Sequence, residues 1–304
     1  MKRNCWMVIL LLGIIICSTN GNALEMTAEK VMSFADHLYE KGDYYRAITE
    51  YERLTFYFPE SPLAKKAKYQ IAMSYLKGEK LTQAIQQFSV LSKSYINEEL
   101  GKNSQYMLAE SYYQLKEYNL AIEVLDEFLR IYPKDPQADA ARVKKGICYL
   151  RQGMWQSADK EFENIPAHSS LGSIARGLAE ESQKYPSIKK KSPYIAGTLS
   201  AILPGAGQLY IGRPRDAVVS LLLNGLFIWG AIAALDRGNN LTGGILISVE
   251  SGWYLANIYS AVSGAHKYNC SADQRFMEQI ENKYRISFYR DERKNSFLSL
   301  NVKF

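Results

Sequence analysis

From residue 24 to about residue 184, apolar side chains recur at i, i+3, i+4 and i+7 in short blocks separated by polar turns, which is the pattern of amphipathic helices. Four alanines, Ala47, Ala84, Ala121 and Ala158, each stand 37 residues after the last. The match extends to four more columns. Three residues earlier are Tyr44, Leu81, Tyr118 and Trp155, and four residues later are Tyr51, Phe88, Leu125 and Phe162. Twelve residues earlier are Ala35, Ala72, Ala109 and Gly146, and nine earlier are Leu38, Tyr75, Tyr112 and Tyr149. A fixed period of this size is the mark of a solenoid in which each unit is one helical hairpin.

The residue types suit that geometry. Small residues on both helices let them approach, and large ones fill the space between neighbouring hairpins. Gly42 and Gly153 fall at the turn between helices, where a positive φ is often required. Pro59, Pro133 and Pro166 end or follow second helices, which a proline cannot continue. One hairpin cannot bury its apolar face alone, so stacking is expected to supply the core. Residues 170–184 read as one further amphipathic helix, a cap for the open end.

The columns and the stretches "FPESPLAKKAKYQIAMSYLKGEKLTQAIQQF" and "YMLAESYYQLKEYNLAIEVLDEFLRIYPKDPQADAARVKKGICYL" resemble tetratricopeptide (TPR) repeats. They resemble above all the periplasmic subset that includes the Tol-Pal-associated cell-division coordinator and the lipoprotein of the outer-membrane β-barrel assembly machinery. The resemblance covers residues 27–184 and implies a protein-binding scaffold of the bacterial envelope. Three features depart from it: a 37-residue unit in place of the commoner 34, a poor lipobox in which Ile15 and Ile16 precede Cys17, and a chain that continues well past the repeats. In such a fold, non-repeating positions on first helices line a concave face. A candidate peptide groove is therefore Tyr69, Gln70, Met73, Gln105, Tyr106, Glu110 and Tyr113. The reading that competes with it is a merely solvated face.

The pattern changes after "YPSIKKKSP". Three apolar segments follow, at residues 194–211, 217–235 and 241–265. The middle one has the length and composition of a transmembrane helix, and Asp236-Arg237-Gly238-Asn239-Asn240 joins it tightly to the third as a helical hairpin. The first is interrupted by Pro204-Gly205-Ala206-Gly207, so it either spans with help from neighbours or re-enters on one side. If all three segments span and the repeats are periplasmic, the tail faces the cytoplasm; if the first re-enters, the tail is periplasmic. "SPYIAGTLSAILPGAGQLYIGRPRDA" resembles small bacterial membrane domains with a P-G-x-G-Q start and, loosely, the TM2-type hairpin. Gln208-Leu209 stands where a phosphate-binding loop needs Lys-Ser/Thr, which rules that loop out. Gln208, Asn224 and Glu250 are the polar residues of the apolar region. Such groups are costly in lipid, and Glu250 is expected to pair with Asn224 or Gln208, to lie near an interface, or to handle ions or protons.

The overall expectation is an all-α chain in four parts. These are a signal peptide at 1–23, four repeats and a capping helix at 27–184, a membrane domain at 192–265 and a polar tail at 266–304. The leader has Lys2 and Arg3, an apolar run, and small residues ending at Ala23, the three-part pattern of a secretory signal. An uncleaved anchor and lipidation of Cys17, preceded by Ile15 and Ile16, are the alternatives. In the tail, Leu298, Leu300, Val302 and Phe304 alternate with polar residues, which is a strand pattern able to form a hairpin with residues 286–290.

Charge and chemistry alter this picture little. The formal net charge is +6, but residues 24–186 hold 21 basic and 23 acidic groups and the remainder 16 and 8. That excess suits membrane flanks rather than a nucleic-acid face. Cys5, Cys17, Cys148 and Cys270 form no C-x-x-C pair, and His37, His168 and His266 are scattered. No catalytic triad or metal spacing is present, so no enzyme activity, cofactor or metal is expected. The chain reads as a membrane-tethered scaffold whose repeats recruit envelope proteins from the periplasmic side of the inner membrane. Its alternative is a membrane-active, transport or channel-like component with a recruiting arm.

Overall fold

The computed structural model describes residues 26–284, 286–287 and 299–300. The signal-peptide, anchor and lipidation expectations, and most of the strand pattern near the C-terminus, lie outside them. Among the described residues the fold is all-α, with a two-residue antiparallel pairing of Ile286 with Leu300 and Ser287 with Ser299. The chain divides into two compact units between Phe128 and Leu129.

The first unit contains α1 (Ala28–Glu40), α2 (Tyr44–Tyr57), α3 (Pro62–Lys77), α4 (Leu81–Ser94) and α5 (Glu99–Gln114). The boundary then falls inside α6 (Tyr118–Ile131). The helix starts are legible locally. Thr27 and Asp43 cap α1 and α2 by accepting from the amides of Lys30 and Arg46, and Ser61 caps α3 with Pro62 in the first turn. The repeat columns form the core. Ala35, Ala72, Ala109, Ala47, Ala84 and Ala121 are fully buried, as are Tyr51, Phe88 and Leu125.

The turn between the helices of each repeat is the same in all four. Gly42, Glu79, Lys116 and Gly153 have φ of 80°, 59°, 64° and 74°. The next amides, those of Asp43, Lys80, Glu117 and Met154, donate to the carbonyls of Leu38, Tyr75, Tyr112 and Tyr149 at 2.9–3.0 Å. This is the helix-terminating arrangement that requires one left-handed residue. Two of the four positions carry a side chain where the left-handed region costs a non-glycine residue about 1–2 kcal/mol.

After the last residues of α6, the second unit holds the fourth repeat, α7 (Ala138–Arg151) and α8 (Trp155–Glu163), followed by α9 (Gly172–Ser182). The alignment holds here too. Ala158 is fully buried, and Gly146 lies so close to the Phe162 ring that a Cβ would overlap it. The first apolar segment is not one helix. It forms α10 (Pro193–Ile202) and α11 (Ala206–Tyr210), broken at Gly205, whose φ is 93°. The α11 helix folds back along α10, and the Tyr210 hydroxyl accepts from the Ser192 amide at 3.2 Å, so the segment leaves near where it entered. Next come α12 (Pro214–Asp236) and α13 (Asn240–Tyr284), an antiparallel pair. The α13 helix has 45 residues, and its helical course runs unbroken through Ala265 into the polar region that follows.

Lys116→Gly should raise stability by about 0.5–1 kcal/mol, because it relieves a left-handed side chain at little other cost. Gly146→Ala should lower it by about 1–3 kcal/mol through overpacking against Phe162. Thermal or denaturant unfolding of the two variants against the parent chain measures both. A Lys116→Gly midpoint no higher than the parent's would contradict the shared-turn account, and an unchanged Gly146→Ala midpoint would contradict the close packing on Phe162.

Candidate functional site

Two places gather the residues singled out in the sequence. The first is the first-helix face in the first unit. Gln70, Met73, Gln105, Tyr106 and Glu110 are buried there, and Tyr69 and Tyr113 are half-buried. The aromatic rings are used in packing. Tyr69 meets Phe88 edge-on at 5.8 Å, Tyr106 meets Phe128 at 6.0 Å, and Tyr113 lies against Tyr118 at 5.6 Å. The Glu110 carboxylate accepts from the Gln114 side chain at 2.7 Å. Tyr69 and Tyr113 are therefore the members of this set most accessible at the surface.

The second place is the α10–α13 region. Gln208, carried on α11 by the break at Gly205, sits at the centre of a polar cluster. Its amide nitrogen donates to the Asn257 side chain at 2.6 Å and to the Asn257 carbonyl at 3.0 Å. Its oxygen lies 3.0 Å from the Ser200 hydroxyl, which donates to it and itself accepts from the Gly207 amide. The cluster thus satisfies the backbone that the Pro-Gly break frees. Glu250 joins neither Gln208 nor Asn224. Asn224 instead donates to the Ser220 carbonyl at 2.6 Å. Both Glu250 oxygens are buried with no hydrogen-bond partner among the described residues. Asn257 is the partner that sequence reasoning missed. It stands seven residues after Glu250, on the same apolar stretch, and its spacing carried no distinguishing mark.

The third arrangement went unanticipated. The last third of α13 docks on the fourth repeat and α9. Ala272, Phe276, Met277, Ile280 and Tyr284 are buried, a stripe at three- and four-residue spacing inside a region that reads as polar. Arg151 pairs with Glu281, and Lys283 pairs with Glu181. The Tyr185 hydroxyl donates to Asp273 at 2.9 Å, Lys190 reaches both Tyr185 and Asp273, and the Tyr185 ring meets Phe276 edge-on at 5.4 Å. The Asn269 side chain accepts from the Lys191 amide at 2.7 Å and donates to the Lys191 carbonyl at 2.9 Å, which holds the entry into α10.

The electrostatics agree with a charged clamp. Burial pushes the Glu181 carboxyl up, but hydrogen bonds from Lys283 and Lys184 outweigh it and hold the pKa below the ordinary 4.5. The hydrogen bond to Glu181 raises Lys283 above 10.5. Burial opposes the charge on Lys190, yet Tyr185 and Asp273 raise it as well. A depressed carboxyl contributes stability above its unfolded value and loses it as pH falls through its folded value; raised lysines lose theirs as pH climbs through their folded values. Docking should therefore hold at neutral pH and loosen below about pH 4.5 and above about pH 10.5. Electron paramagnetic resonance of a nitroxide on the exposed Cys270, with the other cysteines replaced, reads this as rising mobility. Glu181→Gln should flatten the acid limb, and an unchanged acid limb would remove Glu181 from the clamp.

Among the described residues, no group of three or more His, Cys, Asp or Glu side chains could hold a metal ion. The α12 helix is the one described helix long and apolar enough to cross a membrane by length and composition.

A search of curated proteins returned no significant match. Among solved structures, the chain is similar to a tetratricopeptide repeat protein from Parabacteroides merdae. That likeness has 15% identity over 84% of this chain and 99% of that one, with a TM-score of 0.43. It is also similar to a Podosopora anserina protein described as carrying nearly identical TPR-like repeats, at 17% identity over 52% of this chain and 91% of the other, with a TM-score of 0.40. Scores this low carry no functional argument. The family model described as "YfiO: Outer membrane lipoprotein" matches residues 24–85 and 76–189. Those matches span the four hairpins and the helix that follows them, more than half of the chain, and the protein belongs to this family of TPR-repeat envelope proteins.

Proposed function

We propose that this protein is a non-enzymatic, membrane-tethered scaffold of the bacterial cell envelope whose repeats recruit partner proteins. The observation that carries the reading is α13. Its first half pairs with the apolar α12, and its last third is clamped to the fourth repeat and α9. One continuous helix thus connects an apolar hairpin to the repeats. Many large apolar side chains on that hairpin are exposed, Leu222, Leu226, Trp229 and Leu255 among them, which suits contact with lipid.

The arrangement also supports a topology. The α10–α11 segment folds back and so serves as a re-entrant piece, leaving α12 and the first half of α13 to cross and return. The fourth repeat, α9 and the end of α13 then share one side, as their ion pairs require. The signal-like leader and the family favour the periplasm for that side. The cations Lys189, Lys191, Arg213, Arg215 and Lys267 also gather there, an arrangement the positive-inside rule would put in the cytoplasm. Long exported domains cross largely regardless of charge, and on that ground the periplasm is the side proposed. Inner membrane is favoured because outer-membrane spans are usually barrels. Partner docking is placed on the first-helix face, with Tyr69 and Tyr113 at its rim and Gln70, Met73, Gln105, Tyr106 and Glu110 behind them.

Single cysteines at Lys66, Gly238 and the native Cys270 test the tether and its orientation. A membrane-impermeant thiol reagent applied to spheroplasts should label positions 66 and 270 and spare 238. Labelling of 238 alone would reverse the orientation, and labelling of 66 and 270 from opposite sides would break the re-entrant scheme. Recovery of the intact chain as free soluble protein would remove the tether altogether.

A further inference from the structure

The buried polar groups of the α10–α13 region fall into two sets. Ser200, Gln208 and the Asn257 oxygen satisfy one another. The second set is left open. Both carboxylate oxygens of Glu250 and the side-chain oxygen of Asn224 are enclosed without a hydrogen-bond partner among the described residues. Glu250 is 8% exposed and Asn224 is 0% exposed. The Asn224 amide nitrogen is already committed to Ser220. Opposed to these three acceptor atoms there is one unmatched donor, the Asn257 side-chain nitrogen, two turns further along α13. With Glu250 ionised the region has a surplus of acceptors, so what it lacks is a donor.

Depth and access narrow the donor's identity. Asn224 is ten residues from the start of α12, and Glu250 ten from the start of α13. At about 1.5 Å per residue each is roughly 15 Å in, the middle of a hydrocarbon core about 30 Å thick. Glu250 lines a cavity of about 490 Å³ between the two helices, with Ile228, Ile232, Leu235, Ile247 and Leu255 among its walls. Those walls are outward-facing side chains, Ile232 at 55% and Leu255 at 67% exposure, so the cavity opens on the flank of the hairpin. An occupant arrives sideways through lipid. An aqueous ion has no such route, and a second copy of this chain would bring the same acceptor surplus.

We propose that this flank docks a transmembrane helix of another protein carrying one lysine or arginine at mid-membrane depth, whose side chain enters the cavity and pairs with Glu250. The inference rests on the membrane reading above. The apolar walls supply packing for the helix, and the cation supplies the missing donor. An intramembrane carboxylate is costly alone and is expected to have such a partner.

The test uses the full chain, fluorescently labelled, in phosphatidylcholine vesicles with acceptor-labelled polyleucine transmembrane peptides. One peptide carries a central arginine, one has none, and one carries its arginine two turns towards an end. Energy transfer should report about tenfold tighter association for the central arginine than for either control. Glu250→Gln and Glu250→Leu should erase that difference while the chain still floats with the vesicles. Equal association of all three peptides with the parent chain would overturn the proposal. So would self-association of the parent chain that Glu250→Gln abolishes, which would identify a second copy as the occupant. A parent chain that fails to float with vesicles would overturn both the tether and this site; a chain that floats but does not discriminate overturns the site alone.

Discussion

The second unit depends on the docking of the last third of α13. A helix that began in the apolar hairpin and ended free would leave the fourth repeat and α9 with an uncovered apolar end, the hazard that terminal repeats of a solenoid must manage. Here the cover comes from the same helix that pairs with α12. Phe276, Met277 and Ile280 supply the apolar contact, and Arg151–Glu281, Glu181–Lys283 and the Tyr185–Lys190–Asp273 group surround it with charge. Exposed ion pairs are individually weak, and the apolar stripe carries most of the stabilisation. The charges fix register and orientation along a helix that would otherwise slide.

The break in the first apolar segment is the second constraint. Pro204 and Gly205 free backbone groups that an apolar setting cannot hydrate, and the chain resolves this within a few residues. Ser200 and Gln208 close on the turn and on Asn257 of α13. The fold-back and its anchoring to the long helix are therefore one structure.

Much of the array was legible in the sequence because each repeat column answers one steric need. Fully buried alanines at 47, 84, 121 and 158 leave no room for a larger residue, and a need repeated four times becomes a visible period. The left-handed turn was legible only where glycine stands, at 42 and 153. Glu79 and Lys116 adopt the same conformation under the pull of the shared hydrogen bonds, so composition concealed two of the four turns. The candidate groove was less legible. Period and exposure are different properties, and Gln70, Gln105 and Glu110 are polar residues that packing buries. The clamp of α13 was hidden because its apolar stripe is narrow and is diluted by charged and amide side chains. Asn269 and Asn257 each hydrogen-bond to one distant residue, Lys191 and Gln208, and such pairings leave no pattern along the chain.

The clamp also sets an order of events in biosynthesis. Arg151 and Glu281 are 130 positions apart, and Glu181 and Lys283 are 102 apart. Ribosomes release the fourth repeat and α9 long before the helix that seals them. During that interval the end of the array presents bare apolar surface, open to chaperones or to mispairing. Sealing then waits on completion of the C-terminal residues, and in the proposed topology on their delivery to the side of the membrane that holds the repeats. With the hairpin as the proposed tether, a chain that inserts wrongly would keep that surface exposed, and membrane insertion and completion of the folded array would amount to a single checkpoint.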